Sequence, residues 1–186
     1  MSTLTIGKLL VECVQGDIVQ QPDMDVIVNA ANAELMPGGG WPAPFIGPAA
    51  LGWRRNVLRW HRSAQGRRSS RAHIVCPIGT SFIAWDRSMV ANAPADVLLA
   101  SCYQQALALA DDHHVSSIAF PGIFTGAFGY PMEPAAWVAL GTVISQAAGL
   151  SSVTHVRVVL HAPADLAVHE SVLATLIRQR FPGTHM

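Results

Sequence analysis

The chain has 186 residues, with 12 Lys plus Arg against 12 Asp plus Glu and a hydrophobic share of 51%. That length suits a single domain with a real core, and zero net charge gives no warrant for nucleic acid or an anionic membrane as partner. No apolar run approaches the roughly 20 residues that span a bilayer, and no charged leader precedes an apolar core.

Residues 4–14 alternate apolar and polar side chains and predict an opening strand. Gln15-Gly16-Asp17-Ile18-Val19 predicts a turn into a short helix, with Asp17 as its N-cap. Asp25-Val26-Ile27-Val28-Asn29-Ala30 is β-branched and predicts a strand buried on both faces. It runs into Asn29-Ala30-Ala31-Asn32 and then Gly38-Gly39-Gly40. Pro94-Ala95-Asp96 carries the signals of a helix start, and the helical pattern continues to Ala110. His113 and His114 fall where they would cap its C-terminus; His155, His161 and His169 read as surface or strand-end residues. Ser117-Ile118-Ala119-Phe120 predicts a short buried strand, and a helix is expected over residues 132–148.

Between that strand and that helix lies Pro121-Gly122-Ile123-Phe124-Thr125-Gly126-Ala127-Phe128-Gly129-Tyr130-Pro131. Glycines there expose backbone N–H groups, and the following helix dipole favours an anion. Two glycine loops at strand ends point to a phosphate-bearing ligand. Val156-Arg157-Val158-Val159-Leu160 is a further strand, and residues 170–181 a last helix stopped by Pro182-Gly183. Alternating strands and helices predict an α/β domain with a parallel or mixed central sheet, with ligands outside the strand C-termini. Three scattered cysteines, Cys13, Cys76 and Cys102, suit a reducing, cytoplasmic compartment. They offer no Cys-x-x-Cys pair, and neither a metal nor a cofactor is expected.

Gly16-Asp17-Ile18, the stretch from Asp25 to Asn32, Gly38-Gly39-Gly40 and the Ala119 to Pro131 loop together closely resemble the macrodomain family. The resemblance implies a three-layer α/β/α fold over residues 1–186 that binds ADP-ribose or an ADP-ribosylated protein; some members hydrolyse ADP-ribose linkages. It implies that Asp17 accepts a hydrogen bond from the adenine amino group, with the Ile18 N–H beside it. Asn32 would reach the distal ribose and is the catalytic candidate, while Asn29 braces the loop. Gly38, Gly39 and Gly40 form the first phosphate loop. Thr125, Gly126, Ala127 and Phe128 would cradle the diphosphate through backbone N–H groups. Plainer roles stay open: Asp17 as a helix cap, the asparagines as turn formers, Phe128 as core. Where the family usually has a small serine-like residue, this chain has Phe124.

Residues 41–90 depart from that pattern. From Trp41 to Trp85 seven arginines (Arg54, Arg55, Arg59, Arg62, Arg67, Arg68 and Arg71) and four of the five tryptophans cluster, and no acidic residue lies between Glu34 and Asp86. Codons compatible with Trp41-Pro42-Ala43-Pro44-Phe45-Ile46-Gly47, read one base earlier, permit Val-Ala-Gly-Ala-Ile-His-Arg, the expected family motif. The hypothesis is a segment out of frame between two compensating indels, and the coding DNA tests it. His73-Ile74-Val75 and residues 80–84 stay apolar enough to serve as substitute strands.

In hydrolytic members an aspartate follows the loop valine; here that place is Pro42, and the restored frame gives alanine. A binding module without efficient hydrolysis is therefore the leading reading. The alternatives are an ADP-ribosyl or O-acetyl-ADP-ribose hydrolase working through a phosphate-bound water, and nucleic-acid binding by the Arg54 to Arg71 cluster. The last is disfavoured, because clustered arginines more often form a solvated face.

Overall fold

The computed structural model describes residues 2–31, 58–62, 68–77, 94–123, 125 and 129–180. Its strands are β1 (Ser2–Ile6), β2 (Leu9–Gln15), β3 (Val26–Ala31), β4 (Leu58–Arg62), β5 (Arg68–Pro77), β6 (Ser117–Pro121) and β7 (His155–Leu160). Its helices are α1 (Ala95–Asp112), α2 (Met132–Gln146) and α3 (Pro163–Arg180), with a 3-10 turn at Ile18–Gln20.

The strands form one mixed sheet in the order β1-β2-β7-β6-β3-β5-β4. β2, β7, β6, β3 and β5 run parallel, and antiparallel β1 and β4 close the two edges. The expected opening strand is a hairpin instead. Gly7 takes φ +58° between β1 and β2, a left-handed conformation that glycine adopts without steric cost. β4 and β5 come from the Arg-rich stretch, and β5 contains His73-Ile74-Val75. Residues 80–84 lie outside the described residues.

Alternation sorts the two faces. Val11 and Cys13 of β2, Val156, Val158 and Leu160 of β7, and Ile118 and Phe120 of β6 share one core with Leu99, Tyr103 and Leu107 of α1, Ala136, Leu140 and Val143 of α2, and Leu173 of α3. Tyr103 and Phe120 stack with ring centroids 4.6 Å apart. Met24, Ile27, Ala119 and Val159 form a smaller cluster on the opposite face, against which Val14 and Ile18 pack. Val26, Ile27 and Val28 are all buried, as a strand covered on both faces requires.

The last helix begins at Pro163, seven residues ahead of the 170–181 stretch that the sequence places in it. Proline at the first helical position and Asp165 in the first turn are the start signals, and both stand in the sequence. That earlier start buries His169, only 2% exposed, with Nδ1 2.9 Å from the Asp165 carbonyl. The surface expectation for His169 is thereby corrected. Burial pushes its imidazole pKa down, and the bond to Asp165 partly offsets this.

Candidate functional site

β2, β3, β6 and β7 end on one side of the sheet. Gln15 lies beside Leu160, and Pro121 beside Val159, so the segments that follow these strands leave from one rim. Gly16 is tied to that rim by its N–H, which donates to the Leu160 carbonyl at 2.9 Å. A Cβ on Gly16 would stand 3.3 Å from Gln21 Nε2, tighter than an ordinary contact.

Asp17 follows. Its Oδ1 accepts the Val19 N–H at 3.0 Å, which makes Asp17 the N-cap of the 3-10 turn as the sequence predicts. The cap occupies one carboxylate oxygen. Asp17 is exposed, and Oδ2 has no hydrogen-bond partner among the described residues. Cap and ligand acceptor are therefore compatible roles. Ile18 is half-buried against the smaller cluster and holds the turn onto the sheet.

Behind the turn sits a polar network that sequence reasoning missed. Glu12, 4% exposed, accepts Arg157 Nε–H at 2.7 Å through Oε1, and His155 Nε2 stands 2.6 Å from the same oxygen. The Arg157 guanidinium then reaches outward to Asp23 with two bonds, of 2.8 and 2.6 Å. Arg157 Nη1 also donates to Gln21 Oε1 at 2.9 Å, and Gln21 Nε2 donates to the Asp17 carbonyl at 2.9 Å. The hydrogen bond from Arg157 holds the Asp23 carboxyl below its ordinary range, and Asp23 in turn raises the guanidinium pKa. The readable signal was an opposite-charge pair, Glu12 and Arg157, each flanked on both sides by apolar residues of its strand.

Directly after β6, Gly122 opens the second loop. A Cβ there would meet Thr125 Oγ1 at 3.1 Å and Leu160 Cδ2 at 3.5 Å, so the tight turn leaves little room for a side chain. Thr125 Oγ1 donates to the Gly122 carbonyl at 3.3 Å. Gly129 takes φ +64°, and α2 starts directly after Pro131, whose side chain makes no cap bond. Glu133 stands in the first turn of α2, a negative charge near an end that also favours an anion. His161 is exposed on the same rim, with its carbonyl accepting Gln15 Nε2 at 3.3 Å.

Asp17, Ile18 and Thr125 are thus brought to one edge. The backbone of Asn29 lies in β3, two residues before the strand end and beside Val75 of β5. Asn32, Gly38, Gly39, Gly40, Gly126, Ala127 and Phe128 lie outside the described residues, as do Pro42 and Phe124. Among the described residues no three His, Cys, Asp or Glu side chains converge as metal ligands. No described helix is long and apolar enough to cross a membrane.

Comparison with known proteins bears on the family and the fold. A family model described as Macro domain matches residues 28–139. A macro domain-containing protein of Caldanaerobacter subterraneus is 35% identical over 185 aligned residues, covering 91% of this chain and 98% of that protein. A Salmonella typhimurium protein named O-acetyl-ADP-ribose deacetylase is 38% identical over 144, covering 71% of this chain and 76% of its own length. Among solved structures, the Oceanobacillus iheyensis macrodomain with ADP is similar at a TM-score of 0.73 and 29% identity, covering 96% of this chain and 97% of that one. A mutant of that macrodomain was solved with ADPR; it matches at a TM-score of 0.70 and 29% identity, covering 95% and 98% of the two chains.

Proposed function

The chain belongs to the macro domain family, and from that premise we propose that it binds ADP-ribose, free or attached to protein, without efficient hydrolysis. One observation carries the reading. Asp17 stands exposed at the strand C-termini with a carboxylate oxygen left over from its cap, on the rim where Gly122 turns toward Thr125. A carboxylate accepts from the adenine amino group, and the Ile18 N–H lies next to it in the chain. The glycine loops supply backbone donors for the diphosphate: Gly38, Gly39 and Gly40 on one side, Thr125, Gly126, Ala127 and Phe128 on the other. Asn32 serves the distal ribose, and Asn29 braces the loop. Weak or absent hydrolysis follows from Pro42, which offers no carboxylate to activate water.

Calorimetric titration with ADP-ribose, and with AMP as control, tests this. Saturable one-to-one binding that prefers ADP-ribose is expected; a cooperatively melting protein that gives no heat would refute it. The hydrolytic reading is the second one, favoured by the name of the Salmonella relative. In it Asn32 positions the ribose and a phosphate-bound water attacks. Release of acetate from O-acetyl-ADP-ribose, lost in Asn32→Ala, would support it.

A further inference from the structure

We infer that Gln21 is a positioning residue for adenine selectivity, holding Asp17 at the angle that the amino group requires; this rests on the ADP-ribose reading above. The side chain of Gln21 is 8% exposed and fills a gap between two groups of opposite hydrogen-bonding sense. On one side Arg157 Nη1 donates to Oε1 at 2.9 Å; on the other Nε2 donates to the Asp17 carbonyl at 2.9 Å. A guanidinium only donates and a backbone carbonyl only accepts, so the Gln21 amide has one satisfying orientation. The Asp17 carbonyl also accepts the Gln20 N–H at 3.0 Å. Asp17 is thus pinned by its carbonyl from below, while its side chain caps Val19 and keeps Oδ2 for the ligand.

The brace is anchored in the sheet rather than in the loop. Arg157 belongs to β7, and its guanidinium is fixed by Glu12 on β2 and by Asp23 after the turn. Removing the amide of Gln21 leaves Arg157 still paired with Glu12 and Asp23. The Asp17 carbonyl would instead keep only the Gln20 N–H, and the angle of its peptide would loosen. Glutamate is isosteric with Gln21 and still accepts from Arg157, yet it sets an oxygen against the Asp17 carbonyl where a donor is needed. A side chain that merely filled space would leave the adenine preference unmoved when replaced by methionine of similar length.

The test compares ADP-ribose with 1,N6-etheno-ADP-ribose, whose blocked adenine has no amino hydrogens. The full chain is titrated with both, as wild type, Gln21→Glu and Gln21→Met, and each variant is checked by thermal melting. Wild type is expected to prefer ADP-ribose by roughly tenfold or more, the worth of one hydrogen bond to a charged acceptor. Both variants are expected to bring that ratio toward one. If either variant fails to melt cooperatively, the other decides. A folded variant that keeps the wild-type ratio overturns the role of Gln21 and leaves the binding reading standing. A wild type that binds neither compound overturns both.

Discussion

Glu12 in β2 and Arg157 in β7 are register partners whose side chains meet at 2.7 Å on one face of the sheet, and Glu12 is almost wholly removed from water. Breaking a buried pair from one side leaves the other charge uncompensated, which typically costs about 3–5 kcal/mol. Arg157→Ala removes the permanent charge from Glu12, leaves it only His155 as partner, and also frees Asp23 and Gln21. It is expected to lower the denaturation midpoint more than Asp23→Ala, because Asp23 is the exposed end of the network. Chemical denaturation of both variants measures the order; equal losses would show that burial of Glu12 does not govern the pair.

Asp17→Ala removes an N-cap and the proposed adenine acceptor in one step. The cap is worth about 1 kcal/mol of stability. The hydrogen bond to ligand is worth about 1.5–3 kcal/mol, so ADP-ribose affinity should fall by roughly tenfold to a hundredfold. Asp17→Ser separates the two, since serine still caps but carries no charge. Calorimetry should show restored stability with affinity still reduced.

At the opposite end of the sheet, Asp111 of α1 secures the loop before β7. Its carboxylate accepts the N–H groups of Ser151, Ser152 and Val153 and the Ser151 hydroxyl. Burial opposes its ionisation, but these donors outweigh it and hold the carboxyl well below the usual range. A folded-state pKa below the unfolded one stabilises the protein above the unfolded value, near ~3.9. That contribution is lost as pH falls from there through the folded pKa. Wild type should therefore lose stability below about pH 4, and Asp111→Asn should start lower and lose less over the same interval. Melting temperatures between neutral pH and acid give the comparison; parallel curves would refute it.

Restoring the reading frame across residues 41–90 should tighten ADP-ribose binding. Pro42 and Pro44, which lack backbone N–H groups, and the bulky Trp41 follow Gly38, Gly39 and Gly40 directly in the sequence. A gene encoding Val-Ala-Gly-Ala-Ile-His after the glycines is expected to bind at least about tenfold more tightly, on the scale of one or two recovered phosphate contacts. Unchanged affinity would mean that the segment does not form that side of the site.

Much of the fold was legible from residues alone. Val26, Ile27 and Val28 announce a strand buried on both faces, Pro94 and Asp96 a helix start, and Asp17 its own cap. Glycine spacing and the macrodomain resemblance placed the candidate ligand at the strand C-termini. Those signals are local: each depends on backbone conformation within a few residues. The network from Glu12 through Arg157 and Gln21 to Asp17 joins positions as much as 145 residues apart in the chain. No periodicity encodes it, because a hydrogen bond between side chains needs β2 and β7 to be neighbours in a defined register. His169 makes the same point, since a histidine just ahead of the 170–181 stretch reads as surface until Pro163 starts the helix and packs it down. Sequence determined which segments fold and which chemistry they carry, through propensity and motif. Tertiary structure decided which polar groups meet, because only the pairing of strands distant in sequence sets their distances.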